Sequence, residues 1–268
     1  MRISLNEILQ GKHSVALGGH IRPDGDCVGS SMGLYLYLKE QFPEVETDIY
    51  LEPIADCYKI ISNIEEIKHQ VEHVKTYDLF ICLDCGDVAR LGFSAPLFEH
   101  AKQTMCIDHH VSNEAFADIN YIEPDASSTS ELVYRLMEKE KISKQSAEAL
   151  YMGIAHDTGI FQYSCTAPET MEAAAELLRK GINGSEIIDK TYYEKTYVQN
   201  QILGKALLES MLVLDKQVIV SCVNLKSLNF FEAKPSDLEG IVSQLRLTKG
   251  AEVAMFLYEQ EPQIYKVS

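Results

Sequence analysis

No stretch of this chain stays apolar for the ~20 residues that a helix needs to cross a bilayer. The opening, MRISLNEILQGKHSV, lacks the long apolar core of a secretory signal. A basic surplus is absent as well. The chain has 24 Lys and Arg against 40 Asp and Glu, a net charge of −16, which argues against a long groove tracking duplex DNA. There is no internal repeat and no low-complexity tract. A disulfide framework is also missing, because the seven cysteines are odd in number and the 268-residue chain is not small. Cys82 and Cys85 form a C-x-x-C pair, but no second pair completes a zinc site. On a strand, residues three apart point to opposite faces, so the two read as small buried thiols. These absences lead to the expectation of a cytoplasmic protein with no membrane partner. The acidity still leaves room for a short nucleotide substrate, since cations held by carboxylates supply positive charge locally.

What is present is an ordinary globular composition, 46% apolar, in a chain long enough for one large domain or two smaller ones. Strand and helix patterns alternate. HSVALGG (13–19), TDIYLE (47–52), DLFICLD (78–84) and QTMCID (103–108) read as strands. The last two are continuous apolar runs, as in a sheet covered on both faces. DCVGSSMGLYLYLKEQF (26–42) reads as a helix, with Val28, Met32, Leu36 and Leu38 among its apolar positions. SSTSELVYRLMEKE (127–140) opens with a capping box from Ser128 to Glu131. KQSAEALYMGIAH (144–156) and PETMEAAAELLRKG (168–181) are further helices, the second started by Pro168 and closed by Gly181. The alternation predicts an α/β fold with a mostly parallel sheet covered by helices. Beyond residue 185 the pattern changes. A connecting helix (197–210) leads to a strand (217–223), a helix (236–247) and two strands (252–259 and 263–268) around a QEP turn. The reading is a first domain over 1–185, a linker region over 186–210 and a smaller α/β domain over 211–268 that stops in mid-strand.

In open α/β sheets ligands gather beyond the carboxyl ends of the strands, and here those ends carry ionisable residues. The first strand runs into His20, Asp24 and Asp26; DLFICLD ends in Asp84; QTMCID ends in Asp108, His109 and His110; and Asp157 closes a helical run. Singly, each has a plain explanation. RPDGD suits a turn, Asp84 suits an N-cap, a lone histidine is more often a satisfied structural one, and Asp157 before Thr158-Gly159 suits turn chemistry. Together they are harder to explain that way, because several carboxylates at one sheet edge repel unless a cation neutralises them. Imidazole plus carboxylate donors suit Mn²⁺, Mg²⁺, Fe²⁺ or Co²⁺. About six such ligands suffice for two ions ~3.5–4 Å apart, the spacing of two-metal phosphoryl-transfer sites.

GHIRPDGDCVGS (19–30), LDCGD (83–87), DHH (108–110) and YMGIAHDTGIF (151–161) resemble, in order, the four motifs of DHH-type phosphoesterases. EPDASSTSELVYRL (123–136) resembles the segment that links them in the bacterial branch. The likeness is greatest to the nanoRNase/pAp phosphatase group, oligoribonucleases that also dephosphorylate 3′-phosphoadenosine 5′-phosphate (pAp), and it covers roughly residues 1–260. The resemblance implies two divalent ions, Mn²⁺ first and Mg²⁺ or Co²⁺ as alternatives. It assigns His20, Asp24 and Asp84 to one ion, and Asp26, Asp84, His109 and Asp157 to the other, with Asp84 bridging. It gives His110 the substrate phosphate, Asp108 the orientation of its neighbours, and a bridging hydroxide the role of nucleophile. The implied substrates are short single-stranded RNA and pAp, the implied second domain is a DHH-associated substrate-binding one, and a homodimer is compatible with the group. Two departures stand out. The glycine-rich G-G-G-H segment that normally ends the family's second domain does not occur here, and His156 stands where the family often has a smaller residue. The first departure makes a weakly active or non-catalytic nucleotide binder the alternative from another class. A cyclic-dinucleotide phosphodiesterase and a pyrophosphatase are the alternatives within the family, and a plain α/β domain with a structural metal is a further one.

Overall fold

The computed structural model describes residues 4–268, and by internal contacts the chain divides between Tyr193 and Glu194. That division lies inside the segment read as a linker. In the first unit, strands β1 (Ser14–Gly18), β2 (Glu46–Tyr50), β3 (Ile67–Lys68), β4 (Leu79–Leu83), β5 (Thr104–Asp108) and β6 (Ile119–Ile122) form one sheet in the order β3-β2-β1-β4-β5-β6. Every neighbouring pair is parallel. Residues alternate between two apolar layers, as a period of two requires. Leu79, Ile81 and Leu83 of β4 join the layer under the long helices. Phe80 and Cys82 join the opposite layer with Tyr77, Leu97 and Phe98. Burial on both faces explains why these strands read as unbroken apolar runs.

Short helices α1 (Leu5–Leu9) and α3 (Ala95–Glu99) flank the sheet, while α2 (Gly25–Gln41), α4 (Thr129–Leu136), α5 (Lys144–Asp157), α6 (Pro168–Arg179) and α7 (Gly184–Ile188) complete the unit. Helix α2 buries nearly its whole length, from Gly25 to Leu38, so an amphipathic stripe is hard to see in its sequence. It packs closely on α5. A Cβ on Gly29 would lie 2.6 Å from the Ala149 carbonyl oxygen, and one on Gly153 would lie 2.9 Å from Asp26 Oδ1 of α2 and 1.9 Å from Ser130 Oγ of α4. The capping box at Ser128 is half realised. Ser128 Oγ accepts from the Glu131 N–H at 3.1 Å, but the Glu131 carboxylate accepts instead from the Ser127 N–H and hydroxyl and from Thr170.

The second unit holds α8 (Tyr197–Leu208), β7 (Met211–Val213), β8 (Val218–Val223), α9 (Leu225–Phe231), α10 (Ile241–Arg246), β9 (Val253–Glu261) and β10 (Ile264–Val267). Its sheet runs β10-β9-β8-β7, parallel only between β8 and β9. Ile202, Ile219, Val223, Leu245 and Phe256 are among its core. The helix expected over 236–247 is broken. A 3₁₀ turn over Pro235–Leu238 is separated from α10 by Gly240, which takes φ +81°, a conformation that glycine adopts at no steric cost.

Candidate metal centre at the switch point of the sheet

Strand order reverses between β1 and β4, and such a switch point opens a crevice beyond the strand ends. The six residues anticipated as ligands meet there. His20 follows β1 and is buried. Its Nδ1 lies 2.8 Å from the Ile21 carbonyl, which makes Nδ1 an N–H and turns Nε2 towards the carboxylates of Asp24 and Asp84. Asp24 is the N-cap of α2, accepting from the N–H groups of Asp26 and Cys27 at 3.1 Å. Asp26, in the first turn of α2, is fully buried. It reaches the N-terminus of α4, where it accepts from the N–H of Thr129 at 2.7 Å and of Ser130 at 2.9 Å. Unpaired N–H groups and the helix dipole both favour a carboxylate at that position. Asp84 follows β4 with φ +54°, a left-handed turn that Asp tolerates better than most residues. Its Oδ1 accepts from Thr129 Oγ1 at 3.1 Å. His109 follows β5, and Asp157 is the last residue of α5.

Asp84 lies at the centre. Its Oδ2 is 3.4 Å from His20 Nε2, and its Oδ1 is 3.6 Å from His109 Nε2. His20 Nε2 is also 3.6 Å from Asp24 Oδ1. His109 Nε2 lies 3.0 Å from Asp157 Oδ2 and 4.0 Å from Asp26 Oδ2. Three sets of donors have one atom each within 4.8 Å of one another: His20, Cys27 and Asp84; Asp26, His109 and Asp157; and Asp84, His109 and His110.

The electrostatics of these groups follow from crowding. Burial, followed by the charges of Asp84 and Asp157, pushes the Asp26 carboxyl well above its usual range. Burial and Asp84 also raise Asp157, against the pull of His109. Burial works against charge on His109, but the hydrogen bond to Asp157 and the charges of Asp26, Asp157 and Asp84 outweigh it and raise it to about 10. His20 moves the same way: burial opposes its charge, and hydrogen bonds to Asp24 and Asp84 prevail. Carboxylates held this close need positive charge among them. A set of imidazole nitrogens and carboxylate oxygens fits hard to borderline divalent cations.

His110 differs from His109. Its Nδ1 lies 2.7 Å from Oδ1 of the buried Asp108. Asp108 also accepts from Asn113 Nδ2 at 2.7 Å and from the N–H of His109 at 3.0 Å. The hydrogen bond to Asp108, ahead of opposing burial, raises His110 above its ordinary value. With Nδ1 committed to Asp108, Nε2 is the nitrogen left to donate outward. The His156 ring packs against the Gly25 backbone and makes edge contacts with Tyr58 and Tyr192. Its Nε2 lies 3.0 Å from Thr191 Oγ1. That hydroxyl already donates to the Ile187 carbonyl at 2.7 Å, so His156 is the donor. Burial pushes His156 down to about 4, a neutral ring.

Sequence reasoning missed Thr129, Ser130, Asn113 and Cys27. Thr129 and Ser130 orient Asp26 and Asp84 from a helix start 103 and 45 residues away in sequence. The SSTS run that caps α4 was visible, but not which carboxylates it would meet. Among the described residues no helix is long and apolar enough to cross a membrane.

Comparison with known proteins shows the family. The DHH family, N-terminal domain, matches residues 14–154. The protein named bifunctional oligoribonuclease and PAP phosphatase NrnA from Bacillus subtilis (strain 168) is 25% identical over 256 residues, covering 94% of this chain and 79% of its own. The probable bifunctional oligoribonuclease and PAP phosphatase NrnA from Streptococcus mutans is 28% identical over 267 residues, covering 95% and 80%. A crystal structure of an exopolyphosphatase-related protein from Bacteroides fragilis superimposes with a TM-score of 0.90 at 26% identity, covering 98% of this chain and 80% of that one. The family match spans more than half of the sequence and takes in the β1, β4 and β5 ends and most of α5, and on that ground the chain belongs to the DHH family of phosphoesterases.

Proposed function

We propose that this chain hydrolyses short single-stranded oligoribonucleotides and pAp, using two divalent ions, Mn²⁺ in the first instance. His20, Asp24 and Asp84 would hold one ion; Asp26, Asp84, His109 and Asp157 would hold the other. The observation that carries the reading is the position of Asp84, whose two oxygens face His20 and His109 separately. One carboxylate between two imidazoles is what a shared ligand requires. When bound, such a pair of ions neutralises a phosphoryl group and makes a nucleophile of water near neutral pH.

The chain's own residues supply the rest. Thr129 Oγ1 and the N–H groups at the start of α4 fix the Asp84 and Asp26 carboxylates, so that neither must reorganise as charge develops. The Ile21 carbonyl fixes the His20 tautomer. His110, polarised by Asp108, presents Nε2–H as a donor to a phosphate oxygen, where it stabilises the charge that builds up as the phosphate is attacked. The second unit would be the substrate-binding domain. The choice of short RNA and pAp is supported by relatives with that name that align along most of both chains.

The test is turnover with added Mn²⁺ of pAp, of two- to five-residue RNA, of a cyclic dinucleotide and of pyrophosphate. Release of phosphate from pAp and of mononucleotides from RNA is the expected result. Preference for the cyclic dinucleotide or pyrophosphate would move the chain to another branch of the family. Binding of pAp without turnover would make it a nucleotide-binding protein.

A further inference from the structure

Cys27 forms part of the wall of the centre, and none of the roles above uses it. It lies in the first turn of α2, three residues beyond the Asp24 N-cap, and is fully buried. Its Sγ, a His20 nitrogen and an Asp84 carboxylate oxygen lie within 4.8 Å of one another. Donors at that mutual spacing can share one ion at ~2.0–2.3 Å each. The sulfur has room because residue 19 is glycine, where a Cβ would lie 2.3 Å from Sγ. The backbone of Cys27 is anchored too, its N–H donating to Asp24 Oδ1 at 3.1 Å. A buried cysteine is most often a small apolar filler, as Cys82 and Cys85 are in the layer on the far side of the sheet. Cys27 differs in facing two groups that themselves suit a metal.

We propose that Cys27 Sγ is a further ligand of the ion held by His20 and Asp84, and that it biases this position towards thiophilic metals such as Zn²⁺, Co²⁺ and Fe²⁺ over Mg²⁺. The proposal rests on the two-ion reading. A thiolate is a soft donor, and its presence in an otherwise hard N/O set shifts selectivity in that direction. It binds as the thiolate, the proton passing to solvent as the ion enters. The neighbouring position, built by Asp26, His109 and Asp157, has no sulfur, so the two halves of the centre would differ in metal preference.

Metal-stripped full-length protein titrated with Co²⁺ tests this by absorption. The expected result is a visible cobalt spectrum for two ions together with a near-ultraviolet thiolate-to-cobalt charge-transfer band that saturates at one cobalt per chain. Cys27→Ser and Cys27→Ala should lose that band and keep the visible spectrum. Their affinity for Zn²⁺ relative to Mn²⁺ should fall roughly tenfold or more, the scale of losing a contact in a metal site. Cys82→Ser should keep the band. X-ray absorption of the zinc-loaded unmodified protein tests the same point without any variant, through a Zn–S shell near ~2.3 Å. Two cobalt ions bound without the charge-transfer band, or a zinc spectrum without sulfur, would overturn the role of Cys27 and leave the two-ion reading standing. A band unchanged in Cys27→Ala would also overturn it. No cobalt binding at all would overturn both.

Discussion

Nδ1 of His110 lies 2.7 Å from Oδ1 of Asp108, a carboxylate with no solvent exposure. A buried acid in that position commits one ring nitrogen and favours charge on the ring, so the other nitrogen becomes a fixed donor. His110→Ala should therefore keep the full metal content and lower kcat by roughly 10²-fold, as loss of a pre-organised donor to a developing oxyanion does. Asp108→Asn should show a smaller loss of kcat with the pH profile displaced, because the raised His110 pKa depends first on that carboxylate. Metal analysis and kcat measured across pH decide the matter. Loss of metal in His110→Ala would make that residue a ligand.

Asp84 makes the sharper metal prediction. If it serves both positions, Asp84→Ala should empty the two of them, whereas His109→Ala should lose one ion and retain the other. Elemental analysis after dialysis against Mn²⁺ counts the ions directly. Full occupancy in Asp84→Ala would refute the shared role.

How much of this could be read from the sequence depended on whether the cause was local. Strands β1, β4 and β5 are doubly buried, so apolar runs marked them, and the polar residues just beyond each run marked the carboxyl edge of the sheet; the switch point itself needed the strand order. His20, Asp84 and His109 were legible for that reason. Helix α6 carried a start signal at Pro168; the Ser143 cap of α5 emerged only with the structure. What stayed hidden depended on distant partners. The sequence of Glu131 suggests a capping residue. It is in fact buried, because Thr170, 39 residues on, and Arg135 supply its partners. Strand β6 is half-buried along its length, so it lacked the run that marked the others. In the second unit, glycine at position 240 was a sign of a helix break that the apolar spacing around it outweighed.

Glu131 also gives the chain a pH dependence away from the centre. Burial opposes its charge, but hydrogen bonds from Ser127 and Thr170 and the charge of Arg135 outweigh it and lower its pKa. A carboxylate with a depressed folded pKa contributes stability that is present above the unfolded value, ~4.3, and is lost as pH falls through the folded one. Glu131→Gln should cost about 1.5–3 kcal/mol at neutral pH, the range for hydrogen bonds to a charged group. The gap to the unmodified protein should narrow as the solution is acidified below ~4. Thermal melts from pH 7 to pH 3 read this directly. A gap that stays constant across the range would mean that shape, and not charge, makes Glu131 necessary.

The closest approach of α2 and α5 links packing to the centre itself. Gly153 sits where a Cβ would fall 1.9 Å from Ser130 Oγ and 2.9 Å from Asp26 Oδ1. Ser130 and Asp26 are joined in turn by the hydrogen bond from the Ser130 N–H. A methyl group at position 153 therefore cannot be accommodated by one side chain swinging aside. It must push the start of α4, and the Asp26 carboxylate bonded to it, away from α5. Overpacking of a filled interior costs about 1–3 kcal/mol, so Gly153→Ala should fold with a lowered Tm. The displacement falls on the half of the centre built by Asp26, His109 and Asp157, and Mn²⁺ affinity there should drop further than stability alone accounts for. Gly204→Ala is the control, since it lies on α8 of the other unit with nothing within 4 Å of its Cβ. It should leave Mn²⁺ affinity unchanged and raise Tm slightly, since alanine is favoured over glycine inside a helix by about 0.5–1 kcal/mol. Melting and Mn²⁺ titration of the two variants give the answer. A Gly153→Ala protein that melts early but binds both ions with unaltered affinity would show that the helix contact supports the fold without positioning Asp26.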